Sequence, residues 1–256
     1  MNKSVLGAAI AALAISSGTV SAQSAGDVAF TSFNSQEDGW SLVALASLAP
    51  NTTIFFSDNE WNGSAIGSGG AFNSGESFHQ WVTGANAIVA GTVVRFRAVD
   101  SATNLAASIG TFTRASVTGS TNYGVSTSAD TVYAYLGGSA SAPTSFLAAI
   151  SSGGFTVTDG QLANTGLTAG VNAVQLANST LFSEYTNVRN GQAAFADYLP
   201  GLTTITGNWS TSVSNAAAVP NTTAFTITPV PEPEVYAMFL AGLGLLGAMA
   251  RRRRAQ

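Results

Sequence analysis

Between residues 26 and 227 the chain is broken into short apolar runs by Gly, Asn, Ser and Asp, and this punctuation constrains the fold more than any other feature. Runs at 28–33, 41–48, 53–57, 78–82, 92–99, 108–112 and 131–136 have the length and the β-branched and aromatic content of strands. In Val94-Arg95-Phe96-Arg97-Ala98 the apolar side chains share one face and both arginines the other, the period of two that marks a half-buried strand. Tyr133 and Tyr135 share a face in the same way, opposite Val132 and Ala134. Helical turns are suggested only at 145–150 (SFLAAI) and 180–185, and neither carries a long periodic stripe. The expectation is therefore an all-β body, a single β-sandwich-like domain. Residues 64–77 read as a flexible loop and 215–229 as the lead into the tail.

Composition narrows the setting. Hydrophobic residues make up 46% of the 256 and charged residues 9%, so the polar surface is carried by Ser, Thr, Asn, Gln and Gly. That balance suits an extracellular β protein better than a cytosolic enzyme. The body holds four arginines, Arg95, Arg97, Arg114 and Arg189, against eleven Asp and Glu, a net of −7, and no lysine. Without a basic footprint, binding to DNA or RNA is not expected. There is no cysteine, which removes thiolate catalysis, Cys-based zinc sites and iron–sulfur clusters. A body of about 200 residues buries enough core to do without disulfides.

Both ends read as processing signals. Lys3 provides a positive n-region, residues 5–15 (VLGAAIAALAI) an apolar h-region, and 16–22 a small-residue stretch. Val20-Ser21-Ala22 fits a cleavage site before Gln23, so 1–22 is expected to be a signal peptide handled by the Sec export machinery. At the other end Val230-Pro231-Glu232-Pro233 precedes an apolar run at 235–250, followed by Arg251, Arg252, Arg253 and Arg254. Sixteen helical residues rise about 24 Å, slightly short of a hydrocarbon core of about 30 Å. Tyr236 at one interface and the arginines at the other close that gap, so a single transmembrane helix is expected. The arginines place the C-terminal end in the cytoplasm and the body on the far side of the inner membrane.

The Pro-Glu-Pro, apolar span and arginine cluster, in that order over 229–256, resemble the PEP-CTERM sorting signal of Gram-negative bacteria. The resemblance implies that exosortase, a membrane-embedded transpeptidase-like enzyme, recognises the tripeptide and cleaves near it. The body is then released or attached outside, in the setting of exopolysaccharide and biofilm matrix. Two prolines keep the segment extended and accessible, and Glu232 offers a charge to a recognition pocket. The body, 23–228, has a likeness of its own. Gly26-Asp27-Val28-Ala29-Phe30 and Thr52-Thr53-Ile54-Phe55-Phe56-Ser57-Asp58-Asn59-Glu60-Trp61 are similar to a β-rich module of large bacterial exported proteins, which usually has Gly where Glu60 stands. That module implies a β-rich fold and an extracellular setting, with no activity attached.

Candidates for chemistry are few. His79 is the single histidine, flanked by Phe78 and Trp81 in a strand-like run, and no Gly-x-Ser-x-Gly elbow accompanies it. Asp58, Asn59 and Glu60 form an oxygen-rich group at a strand end that can be weighed for Ca²⁺, although no EF-hand or nonapeptide spacing supports it. Trp40 and Trp61 are candidate platforms for sugar rings, the competing reading being that they fill the core. No catalytic residue and no cofactor are expected. The resulting expectation is a non-enzymatic, exosortase-sorted surface or matrix protein with a structural or adhesive role. The alternatives are a carbohydrate-binding module for exopolysaccharide and a secreted hydrolase.

Overall fold

The computed structural model describes residues 22–212, 218–228, 238–243, 246 and 251. Among these residues twelve strands form two six-stranded sheets. They are β1 (Val28–Asn34), β2 (Gly39–Ala44), β3 (Thr53–Ser57), β4 (Phe78–Val82), β5 (Val93–Arg97) and β6 (Ala106–Ala107), then β7 (Thr111–Arg114), β8 (Thr131–Ser139), β9 (Ala142–Ser151), β10 (Ala173–Gln175), β11 (Phe182–Tyr185) and β12 (Trp209–Ser212). The first sheet has the order β12-β11-β1-β2-β5-β6 and the second β10-β9-β8-β3-β4-β7. Pairing is antiparallel except between β9 and β10. A short turn of helix, Phe195–Tyr198 running into α1 (Leu199–Thr203), is the main helical feature of the body.

The sheets meet through aromatic side chains. Trp40 of β2 lies 5.2 Å from Phe56 of β3, Phe56 lies 4.9 Å from Phe96 of β5, and Phe96 lies 5.1 Å from Trp81 of β4, centroid to centroid. Alternation decides who enters: Ile54 and Phe56, His79 and Trp81, and Val132 and Ala134 point between the sheets. Phe55, Phe78, Tyr133 and Tyr135 point the other way and do not reach solvent. They build a second apolar cluster with Phe146 and Leu167, closed over by Trp61, Phe72 and Ile66 from the 58–77 segment. The expected flexible loop is thus a packed cover. Asn62 N–H donates to Ala71 C=O, Asn73 N–H to Glu60 C=O, and Gly70 sits so close to the Trp61 ring that a Cβ there would lie 2.5 Å from it.

Three expectations about elements are corrected. Residues 145–150 and 180–185, suggested above as helical turns, are strand β9 and the region of β11. Residues Phe146 to Ser151 are buried on both faces, so the run shows no period of two, and its register shifts at Leu147, which falls between Phe146 opposite Tyr135 and Ala148 opposite Ala134. The strand expected at 108–112 begins three residues later, at Thr111, because Gly110 turns the chain with φ +79 and the Ile109 carbonyl accepts from Trp81 Nε1 at 2.8 Å.

The lead into the tail is also part of the fold. Residues 218–228 lie along the first sheet: Phe225 is buried 4.9 Å from Tyr198 and 5.7 Å from Tyr185. Phe225 N–H donates to Gly91 C=O, and Gly91, at φ +90, leaves no room for a Cβ against Phe225 O. The Arg189 guanidinium donates to the carbonyls of Asn221 (3.1 Å), Thr223 (2.9 Å) and Tyr185 (3.1 Å), and Thr228 N–H reaches Gln192 C=O at 2.8 Å. The chain is therefore fastened to within three residues of Pro231. The expected signal peptide, apart from Ala22, lies outside the described residues, as do Pro231, Glu232, Pro233, Arg252, Arg253 and Arg254. In the tail, 238–243, Leu246 and Arg251 are helical, and Met238, Phe239, Leu240, Leu243 and Leu246 are exposed. Among the described residues no helix is long and apolar enough to cross a membrane.

Candidate metal centre

Strand β3 runs antiparallel to both of its neighbours, with Ser57 opposite Phe78 on β4 and opposite Tyr133 on β8. The C-terminal end of β3 therefore lies beside the N-terminal ends of β4 and β8. Each of those three ends carries an acid: Asp58 directly after β3, Glu76 two residues before β4, and Asp130 directly before β8. One carboxylate oxygen from each lies within 4.8 Å of the others. Asp58 is 3% exposed and Asp130 6%, while Glu76 is half-buried.

Hydrogen bonds fix the two aspartates by one oxygen each. Asp58 Oδ1 accepts from Ser77 N–H (2.7 Å) and Ser77 Oγ (2.6 Å), and Asp130 Oδ2 accepts from Ser126 N–H (2.7 Å). Asp58 Oδ2 and Asp130 Oδ1 are buried and accept from no protein group. Asn59 braces the cluster: its Oδ1 accepts from Glu76 N–H (3.1 Å) and its Nδ2 donates to Ser57 Oγ (3.0 Å) and Ser77 O (2.9 Å). Glu60 is tied to Asn73 Nδ2, and its charge is felt by all three acids.

Of the residues weighed for calcium from sequence, Asp58 is at the centre, Asn59 is a brace whose amide is already engaged, and Glu60 is a neighbour. Sequence reasoning missed Glu76 and Asp130, which stand 18 and 72 residues from Asp58 and meet it only through strand pairing. Trp40 and Trp61 are corrected as sugar platforms. They are 2% and 0% exposed, and Trp61 Nε1 is bonded to Ala163 C=O at 3.2 Å, so neither presents a face to solvent. His79 is fully buried, stacked on Phe112 at 5.2 Å with Nε2 at 3.2 Å from Val99 O, and burial holds its pKa down at about 4.

Three acids in one buried site can be kept together by protons or by a cation. Burial, opposed by the Ser77 hydrogen bonds, pushes Asp58 up to about 7, and burial with the charges of Asp58 and Glu60 pushes Glu76 up to about 7. Asp130 is raised well above the usual range by burial and by Asp58. In the metal-free protein these groups hold protons in the folded state that the unfolded chain releases near pH 4. Their stabilising contribution is full below that value and is lost as pH rises through about 7. His79 acts oppositely, but only below about 6.5, where the unfolded imidazole takes a proton. In EDTA the Tm is accordingly expected to fall by several degrees between about pH 6.5 and 8.5. Thermal unfolding by circular dichroism tests this, and a flat or rising Tm would contradict it.

Residues 229–254 match the family model of the PEP-CTERM protein-sorting motif. The motif implies export, a membrane-anchored stage and processing by exosortase. No curated protein and no solved structure matches the chain.

Proposed function

We propose that this is an exosortase-sorted surface or extracellular-matrix protein, non-enzymatic, whose β-sandwich has a structural or adhesive role. The observation that carries the reading is the sorting motif at 229–254, joined with almost no slack to the sandwich, since Thr228 is the last fastened residue before it. Apolar side chains exposed along 238–246 support a tail that enters lipid rather than packing on the body. The single histidine, locked in the core, is unavailable as a general base. Cells lacking the protein should attach less firmly or shed matrix, and the wild-type gene should restore them. Unchanged attachment and matrix retention would contradict the role.

A second reading, binding of exopolysaccharide, is favoured by one feature. An open cleft of ≈ 860 Å³ lies on the second sheet, lined by Thr53, Phe55, Gln80, Arg114, Thr118 and Ser139 among others. The Gln80 amide and the hydroxyls of Thr53, Thr118 and Ser139 are groups of the kind that hydrogen-bond a sugar chain. This surface replaces Trp40 and Trp61 in that alternative. Glycan retention lost in Gln80→Ala, with folding intact, would favour it over the purely structural role.

A further inference from the structure

We propose that Asp58, Glu76 and Asp130 form a Ca²⁺ site that fastens both ends of the 58–77 segment once the chain is outside the cell. Two oxygens bound to one Ca²⁺ at about 2.3–2.6 Å are never more than about 5 Å apart, and the three acids meet that condition. Asp58 Oδ2 and Asp130 Oδ1, buried without a partner, are the atoms such an ion would satisfy. The second Glu76 oxygen and water at its half-exposed side can complete the six to eight ligands that calcium takes. Hard oxygen donors with no sulfur or imidazole among them do not suit soft transition metals.

Among the described residues no cationic side chain is paired with these acids. Among the described residues the one ion pair is Arg95 with Glu37. The Arg114 guanidinium lies over the Tyr123 ring and bonds Asp100 O, Arg189 is bonded to three backbone carbonyls, and Arg97 is exposed on β5 of the other sheet. Lysine is missing from the body altogether. Three acids facing one another are therefore held by protons or by an external ion, and calcium is abundant outside cells and scarce in the cytoplasm. Because Asp58 and Glu76 bracket the segment carrying Trp61 and Phe72, an ion there would also hold the cover of the second apolar cluster. The inference rests on the export reading only for the supply of calcium.

The test is thermal unfolding of the full chain in detergent at about pH 7.5, stripped with EDTA, then titrated with CaCl₂ or MgCl₂. Calcium is expected to raise the Tm by roughly 4–8 °C at about 10 mM, with half-saturation at about 10⁻⁴–10⁻³ M, the range of extracellular modules. Magnesium should leave it nearly unchanged, because it dehydrates reluctantly. Asp130→Asn should abolish the calcium response while its Tm in EDTA stays at or above that of the wild type. Should that variant fail to fold, Glu76→Gln carries the same test at a half-buried position. No calcium shift in the wild type, an equal shift from magnesium, or a response retained in the folded variants would overturn the site. None of these outcomes bears on the sorting motif, so failure here and failure of the export reading are separable.

Discussion

Trp40→Ala should destabilise the body by about 3–5 kcal/mol, the range for truncating a large aromatic in a packed core. Trp40 is 2% exposed and touches Phe56, His79, Phe96 and Phe112, so it bridges β2 of one sheet to β3, β4 and β7 of the other. Its removal opens a cavity that two paired sheets cannot close by shifting one loop. Urea unfolding should give a lower midpoint with an unchanged slope. Trp40→Phe should cost far less, because the indole Nε1 has no partner to lose. A cost below about 1 kcal/mol for the alanine variant would mean that the sheets are not held together as described.

Replacing Pro231, Glu232 and Pro233 by alanine should leave export intact and trap full-length protein in the inner membrane. Proline has no N–H to donate and biases its predecessor toward extended backbone, so the Pro-Glu-Pro sequence disfavours helix, which on the export reading would leave it open to an enzyme. Alanines there can join the helix and draw the site toward the lipid. The anchoring of 218–228 sharpens the effect. Three residues from Thr228 to Pro231 span at most about 11 Å, so the enzyme has to work close against the folded body. Immunoblots of membrane and supernatant fractions should find the variant in the membrane at full length. Normal release would mean that the tripeptide is not what is recognised.

Strands rich in β-branched and aromatic residues between turn signals were legible, and in β5 the period of two added to that. β3 and β4 stand at the residues expected, and β5 lies inside its expected range. β1, β2 and β8 were also found although both their faces are buried, but β9 was not. β9 reads as a featureless apolar run, since nothing on either side needs polar residues. The lead at 218–228 looked like a linker because its anchors are backbone carbonyls held by a distant arginine, Arg189, which leaves no pattern in the segment itself. The candidate metal centre was half legible. Asp58 stands out at a strand end, but Glu76 and Asp130 look like ordinary turn acids until antiparallel pairing sets three strand ends side by side. For Trp40 and Trp61 both a core and a platform were open from sequence, because an aromatic residue has the same letter in either, and burial decides for the core.

Intact mass of the protein recovered from cell membranes and from culture supernatant tests the central claim most directly. Export with exosortase processing predicts a supernatant or surface species that begins at Gln23 and ends near Pro233, with the longer form confined to the membrane. A species that keeps residues 235–256 in every fraction and growth phase would make the tail a permanent anchor and contradict the account.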